Sequence, residues 1–293
     1  MTGPAFLKTP SRIHEAVPDA RSIRCQPFVQ VTGGEPWRME RLHDRNDDLL
    51  LWVTRGQGRI VINGVRRGLG TNNAVFLPAG TLMSVELGSQ GFAQVIQAPK
   101  GLTDRLPSEP LHLRPRDAMA QAELTAEIEA MQREIRGGRA FVQDALAAHL
   151  TLVAVWLERQ KTDGIVDAPR ETEAERLVRR YSRLLVEHFR SNLMLADYAQ
   201  MLDVTPTHLT RTAKAACGLT ASEMLMDRVI HEARSRLTDP EPPIGEVAEA
   251  LGFNSAAYFS RFIEAHTGAA PSALRARATG RAPQTSAVAG RRA

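Results

Sequence analysis

Arg211 and Arg261 stand fifty residues apart in matching surroundings. A guanidinium is a planar fork of donors suited to two parallel hydrogen bonds, above all with the edge of guanine. Thr205, Leu209 and Gly218 flank the first arginine at the same spacing at which Ser255, Phe259 and Gly268 flank the second. Ahead of them Ala199 and Leu202 correspond to Ala248 and Leu251 at one residue less, so the second turn is a residue longer. Each copy predicts a short helix, a tight turn and a second helix. Asp203 and Gly252 fall where the turn needs a left-handed residue, and Asp and Gly tolerate that conformation. Thr205 and Ser255 are N-caps, Pro206 suits a first helical position, and Gly218 and Gly268 suit helix ends. Two helices crossed by such a turn have the geometry that sets one of them into a DNA major groove.

A further helix must hold the two units together. Thr220-Ala221-Ser222-Glu223 is a capping box, and Leu225, Val229, Ala233 and Leu237 then recur every four residues as one apolar face. With these elements in place, Gly252-Phe253-Asn254-Ser255, Tyr258-Phe259-Ser260-Arg261-Phe262, Gly268 and Pro271 resemble the signature of AraC/XylS-type transcriptional regulators. The resemblance covers residues 173–275. It departs from the pattern at Ala213, where an aromatic is usual, at Glu264 for Lys and at Leu274 for Tyr. It implies that the chain binds double-stranded DNA, with Thr207, Thr210 and Arg211 facing bases in the first unit and His208 and Lys214 nearby. In the second unit the matching positions are Ala256, Ala257, Ser260 and Arg261. Two alanines touch at most a thymine methyl, so the second unit is expected to position more than it reads.

A chain of 293 residues has room for two domains, and 43% hydrophobic with 24% charged residues is an ordinary globular composition. No apolar run is long enough to cross a membrane and no basic-then-apolar leader opens the chain. Cys25 and Cys217 are too few for a disulfide framework, so free thiols and a cytoplasmic location are expected. The net charge of +4 admits a nucleic-acid partner. Between Arg176 and Arg275, however, twelve Lys and Arg face eleven Asp and Glu, so any basic surface must come from sorting charges onto one face. Arg176, Arg179, Arg180, Arg183, Arg228, Arg234 and Arg236 are either part of such a surface or simply solvated.

The N-terminal half changes character. Residues 1–27 read as a flexible arm with at most one strand. Leu49-Leu50-Leu51-Trp52-Val53, Ile60-Val61-Ile62, Ala74-Val75-Phe76-Leu77, Val85-Glu86-Leu87 and Phe92-Ala93-Gln94-Val95-Ile96 are short strands, and Asn63-Gly64 is a two-residue hairpin signal. Their regular spacing suggests a small barrel or sandwich. This part resembles a cupin: Pro78-Ala79-Gly80 and Gly56 match its motifs, while Leu49 and Met83 occupy its metal-ligand positions. His43 remains alone and is read as an exposed loop residue, so neither metal nor cofactor is expected. A small organic effector inside the barrel would meet Trp52, Arg55, Phe76 and Met83. Two helices, from Asp117 to Ile135 and from Phe141 to Arg159, carry more apolar surface than one partner needs, which suggests a homodimer.

The expected organisation is α+β: an arm at 1–27, a cupin-like effector and dimerisation domain at 28–160, a linker at 161–172, an all-α double helix-turn-helix domain at 173–275 and a disordered basic tail at 276–293. The expected function is that of a sequence-specific transcriptional regulator rather than an enzyme, with a small effector and RNA polymerase as further partners. The alternative is a ligand-binding or catalytic cupin whose helical half binds a protein partner.

Overall fold

The structure, a computed structural model, describes residues 22–165 and 171–278. The arm up to residue 21, part of the expected linker and the tail beyond residue 278 lie outside the described residues.

Strand β1 (Arg24–Pro27) leads into two short helices, α1 (Phe28–Thr32) and α2 (Trp37–Glu40). There follow β2 (Asp47–Arg55), β3 (Gly58–Ile62), β4 (Val65–Leu69), β5 (Ala74–Leu77), β6 (Met83–Leu87), β7 (Phe92–Pro99) and β8 (Leu111–Leu113). They form two antiparallel sheets, one in the order β1-β7-β2-β5-β8 and the other in the order β4-β3-β6. Strand β1 therefore extends the larger sheet from residues expected to be arm. Asn63 and Gly64 both have positive φ, 47° and 76°, and the register Ile62↔Val65 closes a two-residue hairpin between β3 and β4.

Strand β2 is apolar without alternation because both of its faces are buried. Leu49, Leu51 and Val53 turn to the space between the sheets, where they meet Val75, Leu77 and Val95 of the larger sheet and Ile60, Ile62, Met83 and Val85 of the smaller. Leu50 and Trp52 turn the other way with Phe76 and Ile96 and are covered by helices. These are α3 (Ala118–Gly137), capped by the Asp117 side chain, and α4 (Val142–Thr162). The Trp156 indole N–H donates to the Ala120 carbonyl at 2.8 Å and ties the two helices together.

The C-terminal domain is helical throughout: α5 (Glu173–His188), α6 (Leu195–Met201), α7 (Pro206–Cys217), α8 (Ala221–Leu237), α9 (Ile244–Ala250), α10 (Ala256–Thr267) and α11 (Pro271–Ala278). Two cores divide it. Val178, Tyr181, Leu185, Tyr198, Leu202, Leu209 and Ala213 pack the first unit. Phe189, Val247, Leu251, Phe259 and Ile263 pack the second. Helix α8 serves both: Ala221 and Met224 enter the first core, and Val229, Ala233 and Leu237 the second. Among the described residues no helix is long and apolar enough to cross a membrane.

The domains are docked. Leu42, Val61 and Leu82 of the N-terminal domain belong to the same core as the first helical unit. The β3–β4 turn sits so close to α5 that a Cβ on Gly64 would collide with Val178 Cγ1. Arg228, 2% exposed, crosses the interface: its Nε donates to Asp44 at 2.7 Å and its Nη1 to Glu232 at 3.2 Å, and the guanidinium lies 3.8 Å from the Phe189 ring centre. Arg41 pairs with Asp227 at 2.5 Å.

Candidate nucleic-acid interface

Helix α7 begins where the sequence places a cap. The Thr205 hydroxyl accepts from the His208 N–H at 3.2 Å, and Pro206 occupies the first turn. Asp203 holds φ at 56°, the left-handed turn conformation. At the other end Gly218 is left-handed and donates its N–H to the Lys214 carbonyl. Between these caps the helix has two faces. Leu209, Thr212, Ala213 and Cys217 are buried. Thr207, His208, Arg211 and Lys214 are exposed, with Thr210 half-buried beside them. Thr207, Thr210, Arg211 and Lys214 line one shallow groove together with Thr220. Arg211 makes no ion pair among the described residues, while Lys214 Nζ lies 3.6 Å from Glu223 Oε2. Glu223 completes the cap of α8, accepting the Thr220 N–H at 2.6 Å, and those Thr220 hydrogen bonds hold its carboxyl below the usual range. Ala213 is fully buried in the first helical core.

Helix α10 repeats the arrangement. The Ser255 hydroxyl accepts from the Tyr258 N–H at 3.0 Å, and left-handed Gly268 closes the helix. Gly252 makes the turn at φ 78°, and a Cβ there would lie 2.6 Å from the Arg190 carbonyl oxygen, so backbone packing demands glycine. Phe259 and Ile263 are buried, whereas Ala256, Ala257 and Arg261 are exposed. The Ser260 hydroxyl donates to the Ala256 carbonyl at 2.9 Å, which engages its hydrogen. Tyr258, absent from the expected site, is exposed on the same turn. An exposed aromatic beside a cap was the available signal, and its place in the family-like run disguised it.

Several expected basic residues serve elsewhere. Arg228 is buried between the domains, Arg234 stacks 4.1 Å from the Trp37 ring centre, and Arg236 pairs with Glu232 at 3.0 Å. Arg179 pairs with Glu171 at 2.9 Å. Arg180 and Arg183 stay exposed on α5, and the candidate interface centres on α7 and α10.

The four residues expected to line an effector pocket do not meet. Trp52 and Phe76 face α3 and α4, Met83 fills the space between the sheets, and Arg55 is exposed at the end of β2. Strand alternation sends neighbours to opposite faces, and the inner space is closed by aliphatic side chains. His43 is also placed differently from the exposed loop expected for it. It is 1% exposed, pairs with Met83 as an isolated bridge and stacks on His231 with ring centres 4.3 Å apart. Burial lowers its pKa to about 4 and lowers that of His231 as well. Among the described residues no three His, Cys, Asp or Glu side chains gather as a metal site.

The family comparison falls on the helical half. A family model described as a helix-turn-helix domain matches residues 198–277. The arabinose operon regulatory protein of Escherichia coli is 33% identical over 86 residues, 29% of this chain and 30% of that protein. The bifunctional transcriptional activator/DNA repair enzyme AdaA of Bacillus subtilis is 29% identical over 89 residues, 30% of this chain and 42% of that protein. The chain thus spans well under half the length of these relatives. Among solved structures, ToxT from Vibrio cholerae aligns over 88% of this chain and 99% of its own, at 16% identity and a TM-score of 0.42.

Proposed function

We propose, from the premise that the C-terminal half is an AraC-type helix-turn-helix domain, that the chain is a sequence-specific DNA-binding transcriptional regulator. One observation carries the reading. Helices α7 and α10 are capped alike, are packed alike on one face, and each presents its other face to solvent. Held by α8, they would enter successive major grooves about one helical turn apart, ~34 Å. The units divide the work. Thr207, Thr210 and Arg211, with His208 and Lys214 beside them, read base edges. Ala256, Ala257, Ser260 and Arg261 chiefly seat the second helix, and Arg261 and Tyr258 reach phosphate. Selection of bound sequences from random DNA tests this: a site with one well-defined half and one degenerate half is expected, and no enrichment would overturn it.

The N-terminal domain docks on α5, α8 and the C-terminal end of α7, where Arg66 lies beside Gly218, and it leaves Thr207, Arg211, Ala256 and Arg261 exposed. A small organic effector would therefore act on the docking equilibrium rather than uncover the reading helix, and only by favouring one arrangement over another. The outer stripe of α4 supports a homodimer: Leu152 and Ala148 are exposed and Val155 is half-buried.

A further inference from the structure

A cavity of the N-terminal domain lies outside the sandwich. A groove of about 890 Å³ runs between the 104–108 loop, the start of α3 and the last turns of α4. That is the size of a small-molecule site. Its wall contains a polar group that folding leaves unused: Gln160 is 4% exposed, and its Oε1 has no hydrogen-bond partner. Buried amides are ordinarily satisfied, and one that is not stands as a cost to the fold that a ligand can relieve once the amide turns toward the groove.

Charges of both signs surround it. Asp104, Glu123 and Asp163 present carboxylates and Arg105 and Arg159 guanidinium groups, and none of the five has an ion-pair partner among the described residues. A ligand of one sign would meet repulsion as well as attraction. A ligand carrying both signs would pair with both sets, and an amide completes such a site because it donates and accepts.

We infer that this groove binds a small zwitterion, a free amino acid or short peptide. Its ammonium is held by the carboxylates and its carboxylate by Arg105 and Arg159, where guanidinium pairs well. The site also reaches the exit of the domain. The Gln160 carbonyl accepts the Ile165 N–H at 3.1 Å, and the Ile165 carbonyl accepts the Arg114 N–H at 3.4 Å. A ligand on the last turn of α4 therefore stiffens the point where the chain leaves for the second domain. This regulatory consequence rests on the DNA-binding reading, whereas the binding does not.

The test uses the full chain, with thermal unfolding and titration calorimetry against the twenty common amino acids and a set of tripeptides. Each is compared with counterparts lacking the amine or the carboxylate. At least one zwitterion is expected to bind and raise Tm, with its single-charge counterparts roughly tenfold weaker or more. Free amino acids and peptides are separate arms, so the result says which source fits. Gln160→Met is expected to weaken binding by a similar factor while leaving the ligand-free Tm equal or higher, because it removes an unsatisfied amide. Arg159→Ala, at an exposed position, is expected to weaken binding without touching the core. Absence of binding across the panel, equal binding of single-charge compounds, or unchanged binding in both variants would overturn the site. DNA affinity is measured on the same samples. Ligand binding that leaves DNA affinity unchanged overturns the regulatory role alone, and absence of DNA binding in every sample overturns the proposed function alone.

Discussion

At the scale of the residue, two arginines illustrate two fates of the same side chain. Arg211 is exposed on a capped helix and free to make a bidentate base contact. Arg211→Ala is expected to cost about 1–3 kcal/mol at the preferred operator and to relax one base position. Unchanged sequence preference in a selection with that variant would remove Arg211 from the reading face. Arg228 is enclosed by Asp44, Glu232 and Phe189. Removing one partner of a buried pair strands the other charge, so Arg228→Met is expected to lose roughly 3–5 kcal/mol of stability by denaturant titration. A loss under ~1 kcal/mol would show that the docked arrangement is not held here. Nothing in sequence separates these two arginines: both sit on amphipathic helices among polar residues. The difference is made by a partner surface from residues 37–44, nearly two hundred positions away.

At the scale of the element, helix caps and turns were legible because they are local. Thr205, Thr220, Ser255, Gly218, Gly252 and Gly268 fix their conformations through neighbours within a few residues, and the structure gives each the role its type suggests. The direction of side chains from β2 and β5 was not legible. A fully apolar strand gives no alternation from which to tell the inner face from the helix-covered one, and Trp52 and Phe76, expected inside the barrel, pack against α3 and α4 instead. His43 was hidden for another reason: its polar neighbours Asp44 and Arg45 suggest a loop, whereas it bridges to Met83 and stacks on His231 across the docked domains. That burial has a consequence. The unfolded chain takes up protons on these histidines near the ordinary value of 6.5, whereas folded His43 resists to about 4. Neither state is charged well above 6.5, and stability falls as the pH drops from there toward 4 because the unfolded state binds more protons. Urea midpoints at a series of pH values are expected to show this decline, shallower in His43→Gln. An identical pH profile in that variant would contradict the assignment. The hairpin tip gives a second prediction: Gly64→Ala combines a positive φ with a collision at Val178 and is expected to cost about 1–3 kcal/mol, read as a lower midpoint in urea. On α4, Leu152→Glu is expected to shift sedimentation from dimer to monomer, and an unchanged monomeric or dimeric value for both proteins would remove α4 as the contact.

At the scale of the whole molecule, the proposed regulator keeps Arg211 and Arg261 exposed while the N-terminal domain packs on α5, α8 and the end of α7. The two-domain layout could be read from the change from short strands to repeated capped helices. The docking itself could not, because it depends on residues such as Leu42, Val61 and Leu82 that join the first helical core from afar. The most direct test of the central claim is the salt dependence of affinity for a selected operator, measured for the full chain and for Arg211→Ala beside a scrambled duplex. Phosphate contacts release counterions, so the logarithm of the association constant is expected to fall linearly with the logarithm of salt, by about 0.9 per phosphate contact. The full chain should bind the operator roughly a thousandfold or more tighter than the scrambled duplex, and Arg211→Ala should lose that preference in part while keeping nearly the same slope. Equal affinity for both duplexes, or an affinity indifferent to salt, would contradict the account.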